Sequence, residues 1–234
     1  MPYRTALITG ASRGIGLGLV QELLAAGATV VATVRSASNG LSELAAGAGG
    51  RLHVVQLDAG SAASIAACVE GLKKRFQHFD LVINNAGVLE ELRPFGEVEE
   101  QDFLDAFQIN AIGPFLLTQQ LRAAALLGQP GTVVANISSI LGSIGTAVFN
   151  DYPGYAYRAS KAALNSLTRY SDKALAGEGI SCVAIHPGYV KTDINKGAGS
   201  ISVEESAKGI LQVLNSGKDL HGRFYAHDGE ELPW

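Results

Sequence analysis

The chain has 234 residues, 47% of them hydrophobic and 17% charged, which is enough to fill one large core and too apolar for a disordered chain. Its 18 basic and 22 acidic residues leave a net charge of −4. That excludes a general attraction to nucleic acid or an anionic membrane, while a local phosphate pocket is still permitted.

The predicted elements alternate from end to end. "YRTALITG" reads as a buried strand running into a turn, and "GIGLGLVQELLAAG" as a helix with Ile15, Leu19, Leu23 and Leu24 on one face. "ATVVATVR" is a second strand, "GLSELAAGAG" a short helix and "RLHVVQLD" a third strand. "SAASIAACVEGLKKRF" is a helix that Ser61 can cap. "FDLVINNAG" is the fourth strand, and one long helix is expected from Glu100 to Leu127. "GTVVANISS", a helix beginning in "YAYRASKAALN", and "ISCVAIHPG" follow. "SVEESAKGILQVLNSG" and "GRFYAH" add a late helix and a last short strand. The strands are continuous apolar runs, the pattern of a parallel sheet covered on both faces. Right-handed crossovers then give an open, doubly wound α/β domain of Rossmann type, a single domain over the whole chain. Cys68 lies in a helical pattern and Cys182 in a strand, so both read as small core residues. No apolar run reaches membrane-span length and "MPYRTALITG" has no signal-peptide pattern, so a cytoplasmic protein is expected.

"TGASRGIG" fills the turn between the first strand and first helix. Gly10, Gly14 and Gly16 clear side chains where the backbone turns, meets a ligand and packs, and the helix N-terminus offers N–H groups to a pyrophosphate. A ligand-free turn is the competing reading, because the spacing is not GxGxxG. The second strand ends at Arg35, where an NAD site usually carries an acid. Arg35 and Arg13 together suit a 2′-phosphate, hence NADP(H), against the alternative of two solvent-facing arginines. Asp58 could accept from an adenine amino group or cap the next helix.

Tyr157 and Lys161 share a helical face, and an ammonium there lowers the phenol's pKa, fitting Tyr157 for proton transfer near neutral pH. Ser138 and Ser139 end the strand of "NISS", where a hydroxyl could hold a carbonyl oxygen. Asn110 is a polar amide amid apolar residues and needs a partner, either in the core or in a helix distortion that holds water. Val88, Leu89, Ile140, Leu141 and Tyr189 fit an apolar pocket wall or ordinary packing equally well. No metal cluster competes: His186 directly precedes Pro187, and the other histidines are isolated.

With "TGASRGIG", "NNAG", Asn110, "NISS", "YRASK" and "HPGYVKT" in place, the chain resembles a short-chain dehydrogenase/reductase over most of its length. "SSILGSI", "YAYRASKAALN" and "DGEELPW" are most similar to the Sniffer-type and C-factor-like carbonyl reductases. The resemblance implies a catalytic set of Asn110, Ser139, Tyr157 and Lys161, with Tyr157 rather than Tyr155 as acid/base and Asn110 holding a relay water. It implies cofactor contacts at Gly10, Ser12, Arg13, Gly14, Ile15, Gly16, Arg35, Asp58, Ala59, Asn85, Ala86 and Gly87. Tyr157, Lys161, Pro187, Gly188, Val190 and Thr192 complete that set, with no metal. The expected activity is reduction of a small carbonyl substrate by NADPH. A nucleotide-sensing signalling protein and an NAD-linked alcohol dehydrogenase are the alternatives. Homodimer, homotetramer and monomer stay open. The Gly145–Gly154 segment, absent from the shortest family members, is expected at the rim of the site.

Overall fold

The computed structural model describes residues 3–36, 39–146 and 154–234. Of the expected rim segment, residues 147–153 lie outside the described residues. Seven strands form one parallel sheet: β1 (Thr5–Ile8), β2 (Thr29–Val34), β3 (Leu52–Gln56), β4 (Leu81–Asn84), β5 (Thr132–Ile137), β6 (Ile180–His186) and β7 (Arg223–Ala226). Their order is β3-β2-β1-β4-β5-β6-β7. The order reverses beside β1, so the crevice between the β1 and β4 ends is the topological switch point.

The helices are α1 (Gly14–Ala25), α2 (Asn39–Gly47), α3 (Ala62–Lys73), α4 (Glu100–Phe107), α5 (Gly113–Ala123), α6 (Tyr155–Leu175) and α7 (Val203–Asn215). Alternate strand residues serve opposite layers, as the period of two requires. Ala6 and Ile8 pack with Leu19 and Leu23 of α1 and Ile210 of α7. Leu7, between them, packs on the other face with Ile65 and Leu72 of α3 and Leu121 of α5. This two-sided burial is why the strands read as unbroken apolar runs. Cys68 and Cys182 are free and buried in the second layer. Ser61 caps α3, its Oγ accepting from the Ser64 N–H at 3.2 Å.

The single long helix expected from Glu100 to Leu127 is two helices joined by a π-turn, Gln108–Ile112. Pro114 has no N–H to give the carbonyl of Asn110 one turn earlier, so the α pattern cannot run through this point. The chain widens instead, and the N–H of Gly113 donates to Gln108 O. Asn110 sits fully buried at that widening. No helix among the described residues is long and apolar enough to cross a membrane.

Candidate active site

The sheet delivers each expected group to one end. The glycine turn follows β1, Arg35 follows β2, Asp58 follows β3, Asn85–Gly87 follow β4, Ser139 follows β5 and Pro187–Thr192 follow β6.

The glycine turn is held from the β4 side. The N–H groups of Asn85 and Ala86 both donate to Thr9 Oγ1 at 3.0 Å. Asn85 Nδ2 donates to the carbonyls of Thr9 and Gly10 at 2.9 and 3.1 Å. Asn85 therefore acts by building the turn, and its amide donors are already engaged. At Gly10, with φ of 65°, a Cβ would stand 2.8 Å from the Ala86 Cα, so the close approach demands glycine. The N-terminus of α1 has no side-chain cap and no acid in its first turn, so its N–H groups suit an external anion. A glycine-lined turn leading into a helix N-terminus that its own N-cap side chain does not cap fits a dinucleotide pyrophosphate.

The two arginines are placed differently from each other. Arg35 is exposed just beyond β2. Arg13 Nη1 lies 3.1 Å from Asp193 Oδ2, joining the glycine turn to the loop after Thr192. Asp58 Oδ1 accepts from the Gly60 N–H at 2.9 Å, so one carboxylate oxygen shapes its own turn. Thr192 and Asn195 form a reciprocal cap for the short turn Asp193–Asn195, so the Thr192 hydroxyl has a structural use in addition to the expected cofactor contact.

The chemistry converges on α6. Tyr155 is its first residue and is exposed, its ring meeting Phe95 edge-on at 5.9 Å between centroids. Tyr157 and Lys161 lie on one face, Lys161 Nζ standing 5.6 Å from the centre of the Tyr157 ring. Lys161 is only 4% exposed and donates to Ile137 O at 2.7 Å. Burial pushes its pKa down from 10.5 to about 8, which leaves it a cation at neutral pH. Ile137 ends β5 two residues before Ser139, whose buried Oγ accepts from the Leu141 N–H at 3.2 Å. The turn Ile140–Gly142 lies directly on the Lys161 backbone.

Asn110 Oδ1 accepts from the Val88 N–H at 2.8 Å, and Nδ2 donates to Val88 O at 2.9 Å and to Ser160 Oγ at 3.0 Å. Ser160 Oγ in turn donates to Tyr157 O at 2.8 Å. Val88, Leu89, Ile140 and Leu141 are half-buried and Tyr189 is exposed.

Three features escaped the sequence reading. Glu90 accepts the N–H groups of Ala156 and Tyr157. The chain's last residues fold back on the segment that follows Ser139, with Gly145 N–H donating to Trp234 O at 2.7 Å and Ser143 Oγ to Pro233 O at 2.6 Å. Finally, His227 is not isolated: it stands beside His186. Parallel pairing sets His186 opposite Ala226, bringing the next residue, His227, alongside. Burial first, and then His227, push the His186 pKa down to about 4, so it is neutral near pH 7. Among the described residues no group of three or more His, Cys, Asp or Glu could hold a metal ion.

The short chain dehydrogenase profile matches residues 4–201. C-signal of Myxococcus xanthus is 37% identical over 156 residues, covering 66% of the chain and 92% of that protein. Short-chain dehydrogenase srdF of Neurospora crassa is 33% identical over 248 residues, covering 97% of the chain and 96% of that protein. Among solved structures, NADPH-bound carbonyl reductase from chicken fatty liver superposes with a TM-score of 0.92 at 34% identity, covering 99% of this chain and 94% of that one. Carbonyl reductase Sniffer of D. melanogaster gives 0.91 at 32% identity and covers 99% of both chains.

Proposed function

The chain belongs to the short-chain dehydrogenase family, and from that premise we propose that it reduces a ketone, aldehyde or quinone to the alcohol with NADPH, Tyr157 serving as general acid. The family makes it an oxidoreductase with the Rossmann-type fold. The observation that carries the finer reading is the buried ammonium of Lys161 on the face of Tyr157, beside the Ser139 turn. The bound cofactor would supply the hydride.

The residues of this chain do the rest. Gly10 and the first amides of α1 would hold the pyrophosphate, and Arg35 and Arg13 the 2′-phosphate. Ser139 Oγ holds the carbonyl oxygen. Tyr157 gives its proton to the alkoxide as charge develops there, and the Lys161 cation keeps the phenol acidic enough to do so. Both Asn110 amide hydrogens are committed to Val88 and Ser160. Oδ1 already accepts from the Val88 N–H, so a role toward a relay water would fall to the Asn110 main-chain carbonyl, which Pro114 cannot bond. Alcohol oxidation uses the same groups in reverse.

The test is NADPH and NADH oxidation across a panel of aldehydes, ketones and quinones. The reading requires turnover with NADPH in preference to NADH. The similarity to C-signal supports a second reading, a signalling role for this fold. That reading requires that the protein bind NADPH and reduce nothing on the panel.

A further inference from the structure

The start of α6 is capped from far away in sequence. Gly154, at the N-cap position, has no side chain to offer the first N–H groups. Glu90 supplies both acceptors: Oε1 takes the Ala156 N–H and Oε2 the Tyr157 N–H, each at 3.0 Å. A carboxylate here also meets the positive end of the helix dipole. The residue received at Oε2 is the proposed proton donor itself.

The segment carrying Glu90 belongs equally to the cofactor side. Asn85 and Ala86 hold the glycine turn through Thr9. Beside Gly87, Asn110 Oδ1 and Lys161 Nζ stand 3.3 and 3.7 Å from where a Cβ would sit. Val88 is pinned at both its N–H and its carbonyl by Asn110. Two residues later the same strap ends on α6. Asn110 grips the helix a second time through Ser160, whose hydroxyl reaches Tyr157 O. The backbone of Tyr157 is thus fixed at its N–H by Glu90 and at its carbonyl by the Asn110–Ser160 pair.

We infer that Glu90 is a positioning residue for the proton donor: its carboxylate sets the Tyr157 backbone against the loop that shapes the cofactor turn. This rests on the reading of Tyr157 as general acid. An ordinary helix cap would affect stability only. A positioning group affects the rate of the chemical step, because small misplacements of a reacting group are costly. It also affects acidity, because removing the carboxylate leaves the positive helix end uncompensated and the phenol easier to ionise. Glutamine keeps one acceptor oxygen but turns an NH2 donor toward the second N–H, so it restores the contact only in part.

The experiment compares Glu90→Ala, Glu90→Gln and Glu90→Asp with the unmodified protein and Tyr157→Phe. Single-turnover NADPH oxidation is followed across pH with one good carbonyl, together with the NADPH Kd and Tm. Glu90→Ala is expected to slow the step about 10- to 100-fold, with the NADPH Kd changed by less than about threefold. Glu90→Gln should recover part of the rate. The apparent pKa of the proton donor should fall by about half a unit in both. Should Glu90→Ala not fold, the Gln and Asp variants carry the test. A lowered Tm with unchanged rate and pH profile assigns Glu90 to folding alone and overturns the inference. If Tyr157→Phe is inactive while the Glu90 variants match the unmodified protein, this inference fails and the function stands. If Tyr157→Phe is fully active, the acid assignment itself fails.

Discussion

Replacing Lys161 by methionine separates what the site needs from what the fold prefers. The side chain is buried and its pKa falls from 10.5 to about 8. At about pH 7 the lysine is protonated whether folded or unfolded, so the folded state carries a burial penalty of about 3 kcal/mol. Methionine removes that penalty and keeps most of the shape. It also leaves Ile137 O, now bonded at 2.7 Å, without its donor, a loss of about 1–3 kcal/mol. The net is a variant as stable as the unmodified protein, or up to about 2 kcal/mol more so, near neutral pH. Above the folded pKa the unfolded chain binds the extra proton, so the unmodified protein gains stability between about 8 and 10.5, and the variant does not. Near pH 10 the unmodified protein should have gained about 2–3 kcal/mol on it. Urea unfolding of both proteins at the two pH values reads this difference, from which other titrating groups cancel. Single-turnover NADPH oxidation by the same variant should be slower by roughly 10²–10⁴. A variant destabilised at neutral pH, with the pH dependence of stability unchanged, would mean that Lys161 is not buried as a strained cation.

Arg35→Ala should weaken NADPH by about 1.5–3 kcal/mol, as for a charge-assisted phosphate contact, and NADH much less; calorimetry that finds equal losses removes the phosphate assignment. Asp193→Asn frees Arg13 from an ion pair whose side chains are 70% and 71% exposed. NADPH binding should tighten by about two- to fivefold, the scale of an exposed pair, and an unchanged Kd would mean that the pair does not hold Arg13 away from the phosphate. Gly142→Ala puts a Cβ 2.7 Å from the Lys161 Cβ and carbonyl carbon, atoms that cannot swing aside. The Ser139 turn must move off α6, so kcat should fall at least about tenfold while NADPH affinity holds; an unaltered kcat would mean that the contact does not place Ser139.

The fold was legible because its signals are local. Unbroken apolar runs such as "TVVATV" mark strands buried on both faces, and "TGASRGIG" places a glycine turn between strand and helix. Tyr157 and Lys161 were legible because helical spacing brings them to one face. What stayed hidden depends on which distant strands become neighbours. Glu90 reaches Tyr157, and Arg13 reaches Asp193, only after β4 and β5, and β1 and β6, deliver the segments that follow them to one end of the sheet. His227 comes beside His186 through the β6–β7 register alone. A buried amide ladder, Asn84 to Asn136 at 2.8 Å and Asn136 to Thr168 at 2.8 Å, links two strands and α6 with no local pattern to announce it. The π-turn was half visible. Asn110 suggested a distortion, but its companion signal, Pro114, reads equally as an ordinary early-helix proline.

The proposed reduction depends on the Tyr157 hydroxyl delivering the proton to a carbonyl reduced by NADPH. Single-turnover NADPH oxidation by Tyr157→Phe, alongside Tyr155→Phe and the unmodified protein, tests it most directly. Phenylalanine removes one oxygen from a half-buried ring and leaves the helix face unchanged. Tyr157→Phe should be slower by roughly 10²–10⁴ with NADPH affinity retained, and Tyr155→Phe should keep most of the activity. A Tyr157→Phe variant that reduces the same carbonyl at the unmodified rate would contradict that role for Tyr157.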